Sequence, residues 1–384
     1  MRKRRASAWR TAAFWWIVTR PTVLAAGYVA VAVFGFPPPN RVTSQRVYDS
    51  VLLNLPARWD ALWYFDIAAR GYRWDGSFEH PNNVVFFPGY PIAVRAFSAT
   101  TRLPVLWSGL IVALAAFFFA LVYLHRLARE LLDDDAAEGS VALIATYPAA
   151  VFFGVPYSES LFLLACVAAF YHFRRRQFIV AAAWGLLAGS TRVPGFLAAV
   201  PLAWMAWRDR SHVTDMRTRG RVLIAVAAPV FGLALYSAQL YRLTGHPSLW
   251  LENQAGWGQP LYAQIVVGRE AEDTSTAIPT TDPTADAIVN IANLASALVT
   301  IGAVPLAIRW LGVEYGLFIG ACLGPALLGH PFLSMLRFTS VIFPFFIVLA
   351  RLLGGAGRVR LVASIFFVGQ ICGAGLFFTW RHFL

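Results

Sequence analysis

Cysteine is nearly absent from these 384 residues, and the three present, Cys166, Cys322 and Cys372, all fall inside apolar runs. With no CxxC pair and no cysteine in a loop, neither a disulfide framework nor a thiolate metal site is expected. The three read instead as small buried apolar groups. Lysine is scarcer still: Lys3 is the sole one, which removes Schiff-base chemistry from consideration. The seven histidines are scattered, without an HExxH or a His-rich tract, so no metal site and no cofactor is expected, a divalent ion remaining an open alternative. No Asn-x-Ser/Thr sequon occurs, so nothing hints at glycosylation in a secretory lumen. Charge of either sign is thin, at 14% of residues, too little to clothe a soluble domain of this size.

What fills the chain is apolar and aromatic: 58% hydrophobic residues and 15% Phe, Trp and Tyr. Such a composition belongs to an integral membrane protein, whose aromatic residues serve interfacial belts and a substrate cavity. The net charge of +12 raises nucleic acid as a partner, but the excess lies in short clusters between apolar runs and forms no contiguous basic face. The spacing predicts an all-α, multi-pass bundle of about eleven spans forming a single domain over residues 1–384, with no internal repeat. The first span runs from Pro21 to Phe36 and extends back past Arg20, which snorkels to the interface. The basic start and the apolar run to Phe36 resemble a signal sequence without a convincing cleavage site, hence an uncleaved anchor. The spans at 141–153, 160–173, 178–187 and 193–207 fall short of the roughly 20 residues a bilayer core requires. Their interruptions at Gly154–Glu159 and Gly189–Pro194 therefore point to a cavity, where non-helical backbone is tolerated at membrane depth.

Arginine placement sets the orientation. With the N-terminus cytoplasmic, 19 basic residues fall in cytoplasmic segments against five in short outer ones, as the positive-inside rule asks. Two large outer loops follow, 37–102 and 242–284. The first holds the most informative stretch, Arg58-Trp59-Asp60 through Gly71-Tyr72, with Pro56 and Gly71 as helix start and stop. As a helix it places Asp60, Trp63, Tyr64 and Ile67 on one face, and turns Asp66 about 240° away from Asp60. A carboxylate among aromatic rings suits proton abstraction from a sugar hydroxyl; the alternative is a first-turn residue favoured by the helix dipole. Amphipathic helices are expected in this loop.

Other outer residues join it as candidates. Glu159 follows Ser158, which could equally be a helix cap. Arg192, beside a Pro-broken helix boundary, and Arg337 could each hold a phosphate, or be interfacial arginines. Trp250 and Trp257, with Asn253, Gln254 and Gln259, could cradle a sugar or anchor the interface. Asp75, Glu79 and His80, and the acidic turn at Asp133–Asp135, read as solvated loop groups.

Several ordered motifs together resemble the phosphatidylinositol-glycan class V (PIG-V) mannosyltransferases, within the C-type (GT-C) membrane glycosyltransferases. They are Arg58-Trp59-Asp60 with Ile67-Ala68 and Gly71-Tyr72, Phe86-Phe87-Pro88-Gly89-Tyr90-Pro91, Pro156-Tyr157-Ser158-Glu159-Ser160-Leu161-Phe162, Thr191-Arg192 with Gly195, and Arg337-Phe338 leading to Phe343-Pro344. The resemblance implies a polytopic enzyme that uses a polyprenyl- or dolichyl-phosphate-linked mannose, with Asp60 as catalytic base. Arg192 and Arg337 then meet the donor phosphate. Trp59, Trp63, Tyr64 and Phe87 are the expected substrate contacts from the first loop, and Tyr157, Glu159, Trp257 and Gln259 those from later segments. The partners so implied are the polyprenyl-phosphate sugar, a glycolipid or envelope-glycan acceptor and membrane lipids, with no nucleic acid. The chain departs from the eukaryotic members in being shorter; its lack of sequons and its arginine-rich composition suggest a bacterial relative in a plasma membrane, which leaves the glycolipid acceptor open. A transporter or flippase, which should place ionisable groups at the midplane and show repeats, and a non-catalytic polyprenyl-lipid binding subunit are the alternative readings.

Overall fold

The computed structural model describes residues 7–37, 46–78, 80–257, 283–328, 334–381 and 383. They fold into helices, and no strand occurs among the described residues. In chain order these are α1 (Ala8–Phe34), α2 (Ala61–Arg70), α3 (Gly89–Thr101), α4 (Val105–Leu131), α5 (Asp134–Thr146) and α6 (Glu159–Arg174). There follow α7 (Phe178–Gly189), α8 (Val193–Leu197), α9 (Ala199–Arg208), α10 (Met216–Thr244) and α11 (Leu249–Glu252). The last five are α12 (Pro283–Trp310), α13 (Val313–Leu328), α14 (Met335–Ser340), α15 (Phe343–Leu353) and α16 (Ala356–Phe378).

Five of these, α1, α4, α10, α12 and α16, are long and apolar enough to cross a membrane among the described residues. Their outward faces carry exposed apolar side chains such as Phe34, Ile291 and Val368, the surface a lipid environment covers. The expected eleven spans thus resolve differently. The segment expected as a span at 141–153 is α5 followed by a 3₁₀ turn, Pro148–Gly154, bent by 80°. The one at 193–207 divides into α8 and α9, and the apolar run at 338–350, read from the sequence as one span, divides into α14 and α15. Proline sits in the first turn of the second piece in two of these breaks: Pro148 and Pro344 lack the N–H a continuing helix needs, and Tyr147, before Pro148, is held out of the α region with ψ at 139°.

The bend after α5 corrects the reading of Arg20. It does not snorkel; it lies in the middle of α1 at 1% exposure. Its Nη2 donates to Ala145 O at 3.0 Å and its Nη1 to Ala150 O at 2.5 Å. Gln370 Nε2 of α16 donates to Ala145 O and to Tyr147 O, at 3.2 and 3.0 Å. Together they satisfy carbonyls that the break would orphan in a low-dielectric interior. The acidic turn, by contrast, behaves as a helix start: Asp133 caps α5 by accepting from Ala136 N at 2.7 Å.

The centre of the molecule is α6, buried continuously from Glu159 to Phe170 and packed between α4 and α7; a helix apolar on all sides belongs in the interior. Beyond it α7 meets α10 at very short range. A Cβ on Gly189 would collide with Pro229 O, and one on Gly232 would lie 2.5 Å from Leu186 O. Small residues let two backbones approach this closely. The crossing fixes the end of α7, where the turn Ser190-Thr191-Arg192 begins.

Candidate active site

Asp60 is held by its backbone before its side chain does anything. Arg58 is buried and donates from Nε to Phe378 O at 2.9 Å and from Nη1 to Asn54 O at 2.7 Å, with its guanidinium over the rings of Phe36 and Trp380. Trp59 ties to Phe377 O through its indole N–H at 3.0 Å. It does so with φ at +52°, a conformation a bulky residue holds only when its surroundings impose it. Asp60 N donates to the Tyr157 hydroxyl at 2.9 Å, and that hydroxyl donates to Arg58 O at 3.3 Å. The expected helix is therefore shorter at its start: α2 begins at Ala61, not near Pro56, and ends as expected at Gly71 with φ at +88°. Asp60 makes no side-chain cap on α2. Asp66 pairs instead with Arg70 and accepts from Asn83.

The Asp60 carboxylate reaches across to α14. Arg337 Nη1 donates to Asp60 Oδ2 at 2.7 Å, and Arg337 Nε donates to Glu159 Oε1 at 2.5 Å. The same oxygen of Glu159 accepts from Arg192 Nη1 at 2.6 Å. One guanidinium thus bridges two carboxylates, and one carboxylate gathers two guanidinium groups. Exposure separates their roles: the Glu159 side chain is at 0%, whereas Arg192, Arg337 and Asp60 stand at 13%, 17% and 26%. Ser158 does not cap α6 with its side chain. Its hydroxyl receives Arg192 Nη1 at 3.2 Å and lies 2.7 Å from the Tyr64 hydroxyl. Burial, and then the nearby Glu159 charge, push the Tyr64 phenol above its ordinary range, which keeps it an O–H group. Arg337 also lies 4.9 Å from the ring centres of both Phe152 and Tyr157. Ser334, three residues earlier, has φ at +57°, a second strained backbone position beside these charges.

The segment Phe86–Pro91 closes the near wall. Gly89 N donates to Ser190 O at 2.7 Å, and a Cβ at Gly89 would meet Thr191 Oγ1 at 2.5 Å. Glycine is needed here for close approach, not for its dihedral freedom. On the far wall, Trp257 donates to Asn82 O at 3.1 Å, and Asn253 Oδ1 accepts from Asn82 N at 3.1 Å. The residues after α11 are so fastened onto the first loop.

Between these walls lies a cavity of about 430 Å³, lined by Asp60, Tyr64, Phe87, Arg192, Trp257 and Arg337 among others. A second cavity of about 180 Å³ lies beyond the ion pair, lined by Trp59, Asp60, Phe152, Tyr157, Phe377 and Phe383, with Ser334 and Arg337. Of the residues expected from sequence, Asp60, Arg192 and Arg337 come together, with Tyr64, Phe87 and Trp257 around them. Trp59 and Tyr157 line the smaller cavity. Trp63 packs against Phe86 and Trp257 from outside the cavity lining, and Glu159 lies beneath both arginines with no exposed surface. Gln259 lies outside the described residues. Phe152, Phe377 and Phe383 were missed by sequence reasoning, since nothing distinguishes the first two from span-filling aromatics or the third from an aromatic at the end of a span. Among the described residues no group of three or more His, Cys, Asp or Glu side chains comes together as a metal site.

A family model described as Mannosyltransferase (PIG-V) matches residues 36–242, a range that contains Asp60, Glu159 and Arg192 and stops short of Arg337. GPI mannosyltransferase 2 of Cryptococcus neoformans var. neoformans serotype D is 26% identical over 181 residues, 44% of this chain and 41% of that protein. GPI mannosyltransferase 2 of Drosophila pseudoobscura pseudoobscura is 27% identical over 117 residues, 28% of this chain and 25% of the relative. The matches thus span well under half the length of these curated relatives. Among solved structures, a crystal structure of the Archaeoglobus fulgidus oligosaccharyltransferase with Zn and sulfate aligns with a TM-score of 0.46 at 13% identity, over 92% of this chain and 53% of that one. The archaeal oligosaccharyltransferase AglB from the same organism, in complex with an inhibitory peptide and a dolichol-phosphate, aligns with a TM-score of 0.45 at 13% identity, over 94% and 56%.

Proposed function

The chain belongs to the mannosyltransferase (PIG-V) family, whose model spans more than half of it, and from that premise we propose that it is an inverting membrane glycosyltransferase. It moves a mannosyl or related residue from a polyprenyl-phosphate donor to a lipid-linked or cell-envelope acceptor on the outer face, with its N-terminus in the cytoplasm. The observation that carries this reading is the convergence of Asp60, Arg192 and Arg337 on one cavity of about 430 Å³, within the size range of ligand sites. Mannosyl transfer as the chemistry is supported by the names of the curated relatives.

In this mechanism the donor occupies the larger cavity with its phosphate against Arg192 and Arg337. The acceptor oxygen attacks the anomeric carbon while its proton passes to Asp60. The bond from that carbon to the phosphate oxygen breaks, and its electron pair stays on the phosphate. Two guanidinium groups held in place before reaction stabilise the charge as it develops, an effect worth about 2.7–4 kcal/mol per donor group at comparable sites. Glu159 does not meet substrate; it is a positioning residue that keeps both arginines aimed into the cavity. Tyr157 and Trp59 do the same for Asp60 through its backbone.

The test is Asp60→Asn in the full chain, purified and supplied with labelled polyprenyl-phosphate mannose. Loss of the base should lower kcat by about 10²–10⁴-fold, with affinity for the donor lipid kept or improved. A fully active Asp60→Asn chain removes the base assignment. A wild-type chain that leaves the donor unconsumed removes the glycosyltransferase reading.

A further inference from the structure

The two cavities share one wall. Asp60, Ser334 and Arg337 line both the larger and the smaller space, so the Asp60–Arg337 ion pair is a partition with open volume on each side. The two sides differ in chemistry. The larger space has a second cation, Arg192. In the smaller one the charged residues lining it are Asp60 and Arg337, and the rest of its wall is largely aromatic: Trp59, Phe152, Tyr157, Phe377 and Phe383. Arg337 is also less available there, because its guanidinium lies over the Phe152 and Tyr157 rings. A phosphate is therefore best held on the Arg192 side. A neutral ring bearing hydroxyl groups is best held on the aromatic side, with one hydroxyl toward the Asp60 carboxylate. At about 180 Å³ the smaller space falls below the roughly 300–1,000 Å³ of sites that enclose a whole ligand, which suits a single sugar ring whose remainder lies outside.

Building on the glycosyl-transfer reading above, we infer that the smaller cavity is the acceptor site and that its ligand is a neutral sugar. Inversion requires the attacking oxygen and the leaving phosphate to lie on opposite faces of the anomeric carbon. With the phosphate fixed by Arg192 on one side of the partition, the nucleophile must come from the other, and Asp60 is placed at the boundary. The acceptor proton moves to the carboxylate from the small cavity as the glycosidic bond to phosphate breaks in the large one. Phe383 is a specificity-setting wall residue: its ring stands against Gly373, where a Cβ would collide with it, so the helix behind it cannot take a side chain without narrowing the pocket.

The experiment compares Phe383→Trp, which fills the small cavity, with Ala326→Trp, which fills the large one, in the full-length purified chain. Three quantities are read: the Kd for citronellyl phosphate, hydrolysis of polyprenyl-phosphate [³H]mannose in water, and transfer of label to octyl α-mannoside. Phe383→Trp should raise the KM for the mannoside at least tenfold while the citronellyl phosphate Kd and donor hydrolysis stay within twofold. Ala326→Trp should weaken citronellyl phosphate at least tenfold and leave the mannoside KM within twofold. Each retained parameter reports that the variant is folded, and Phe383→Ala, which removes the ring, should raise the mannoside KM several-fold. The assignment is overturned if Phe383→Trp weakens the lipid phosphate as much as Ala326→Trp does, or if it leaves the mannoside KM unchanged. Donor hydrolysis by the wild type with no transfer to the mannoside refutes the neutral-sugar ligand, whereas a wild type that consumes no donor at all refutes the parent reading and the assignment with it.

Discussion

Glu159→Gln isolates the residue on which both cavity arginines depend. Glu159 Oε1 accepts from Arg192 at 2.6 Å and from Arg337 at 2.5 Å, at zero exposure. At an effective dielectric of about 20, a pair of unit charges 4 Å apart interacts by about 4 kcal/mol, and removing one partner of a buried pair costs about 3–5 kcal/mol. Glutamine keeps the shape and one acceptor oxygen, so the loss is the charge term. At about 2 °C per kcal/mol for a chain of this size, the thermal midpoint in detergent should fall by roughly 6–10 °C. The substitution also leaves the four-residue cluster with one excess positive charge. A lipid phosphate then supplies the missing anion and should bind Glu159→Gln more tightly. At one fixed concentration, citronellyl phosphate should therefore raise the midpoint more in the variant than in wild type; a hundredfold excess over Kd stabilises either chain by about 2.7 kcal/mol. Turnover should fall even so, because the arginines lose the anchor that aims them. Differential scanning fluorimetry with and without the lipid, together with kcat, reads all three effects. A variant with unchanged midpoint, unchanged kcat and no extra response to the phosphate would refute the view that Glu159 organises the site.

Three further outcomes follow from the same geometry. Arg337→Lys keeps the charge but cannot reach Glu159 and Asp60 with two separate N–H groups; losing one charged hydrogen bond, about 1.5–3 kcal/mol, should lower kcat roughly 10–150-fold in the labelled-donor assay. Gly89→Ala places a methyl group 2.5 Å from Thr191 Oγ1 and 2.9 Å from Ser190 O, which should destabilise by about 1–3 kcal/mol and raise the KM for the donor by displacing Arg192. Arg20→Met removes the side-chain donor from Ala150 O and leaves Ala145 O to Gln370 Nε2 alone, at about 1–3 kcal/mol for the lost partner; the thermal midpoint should drop, and turnover with it, since the bend carries Tyr157–Glu159 into place.

Much of this was legible in the chain. The all-helical membrane character, the helix of the first loop with its Gly71 stop, and Asp60, Arg192 and Arg337 as a set were read from composition, punctuation and motif order. What stayed hidden had physical reasons. Arg20 looks like an interfacial arginine because only the bend at Tyr147-Pro148 creates carbonyls for it to satisfy in the interior. Glu159 looks like a helix-start residue or a substrate contact because a carboxylate's partners, 33 and 178 residues away in the chain, leave no local trace. Phe152 and Phe377 look like ordinary span residues, and Phe383 like a ring just past the last span, because sequence carries no mark of which aromatic ring faces a cavity.

The sequence by itself determined that this chain lives in a membrane and is helical, because apolar runs with few charges have no other stable environment and their backbone groups must be satisfied within each segment. It also marked individual helix ends such as Gly71, where a positive φ stops the helix, but not every break: Pro148 opens a new piece whereas Pro21, Pro229 and Pro305 lie inside continuous helices. Only the tertiary structure decided that Arg337 lies between Asp60 and Glu159, and that Asp60 stands between two spaces of unlike chemistry. Those facts are distances between segments hundreds of residues apart, fixed by how helices cross and not by any pattern along the chain.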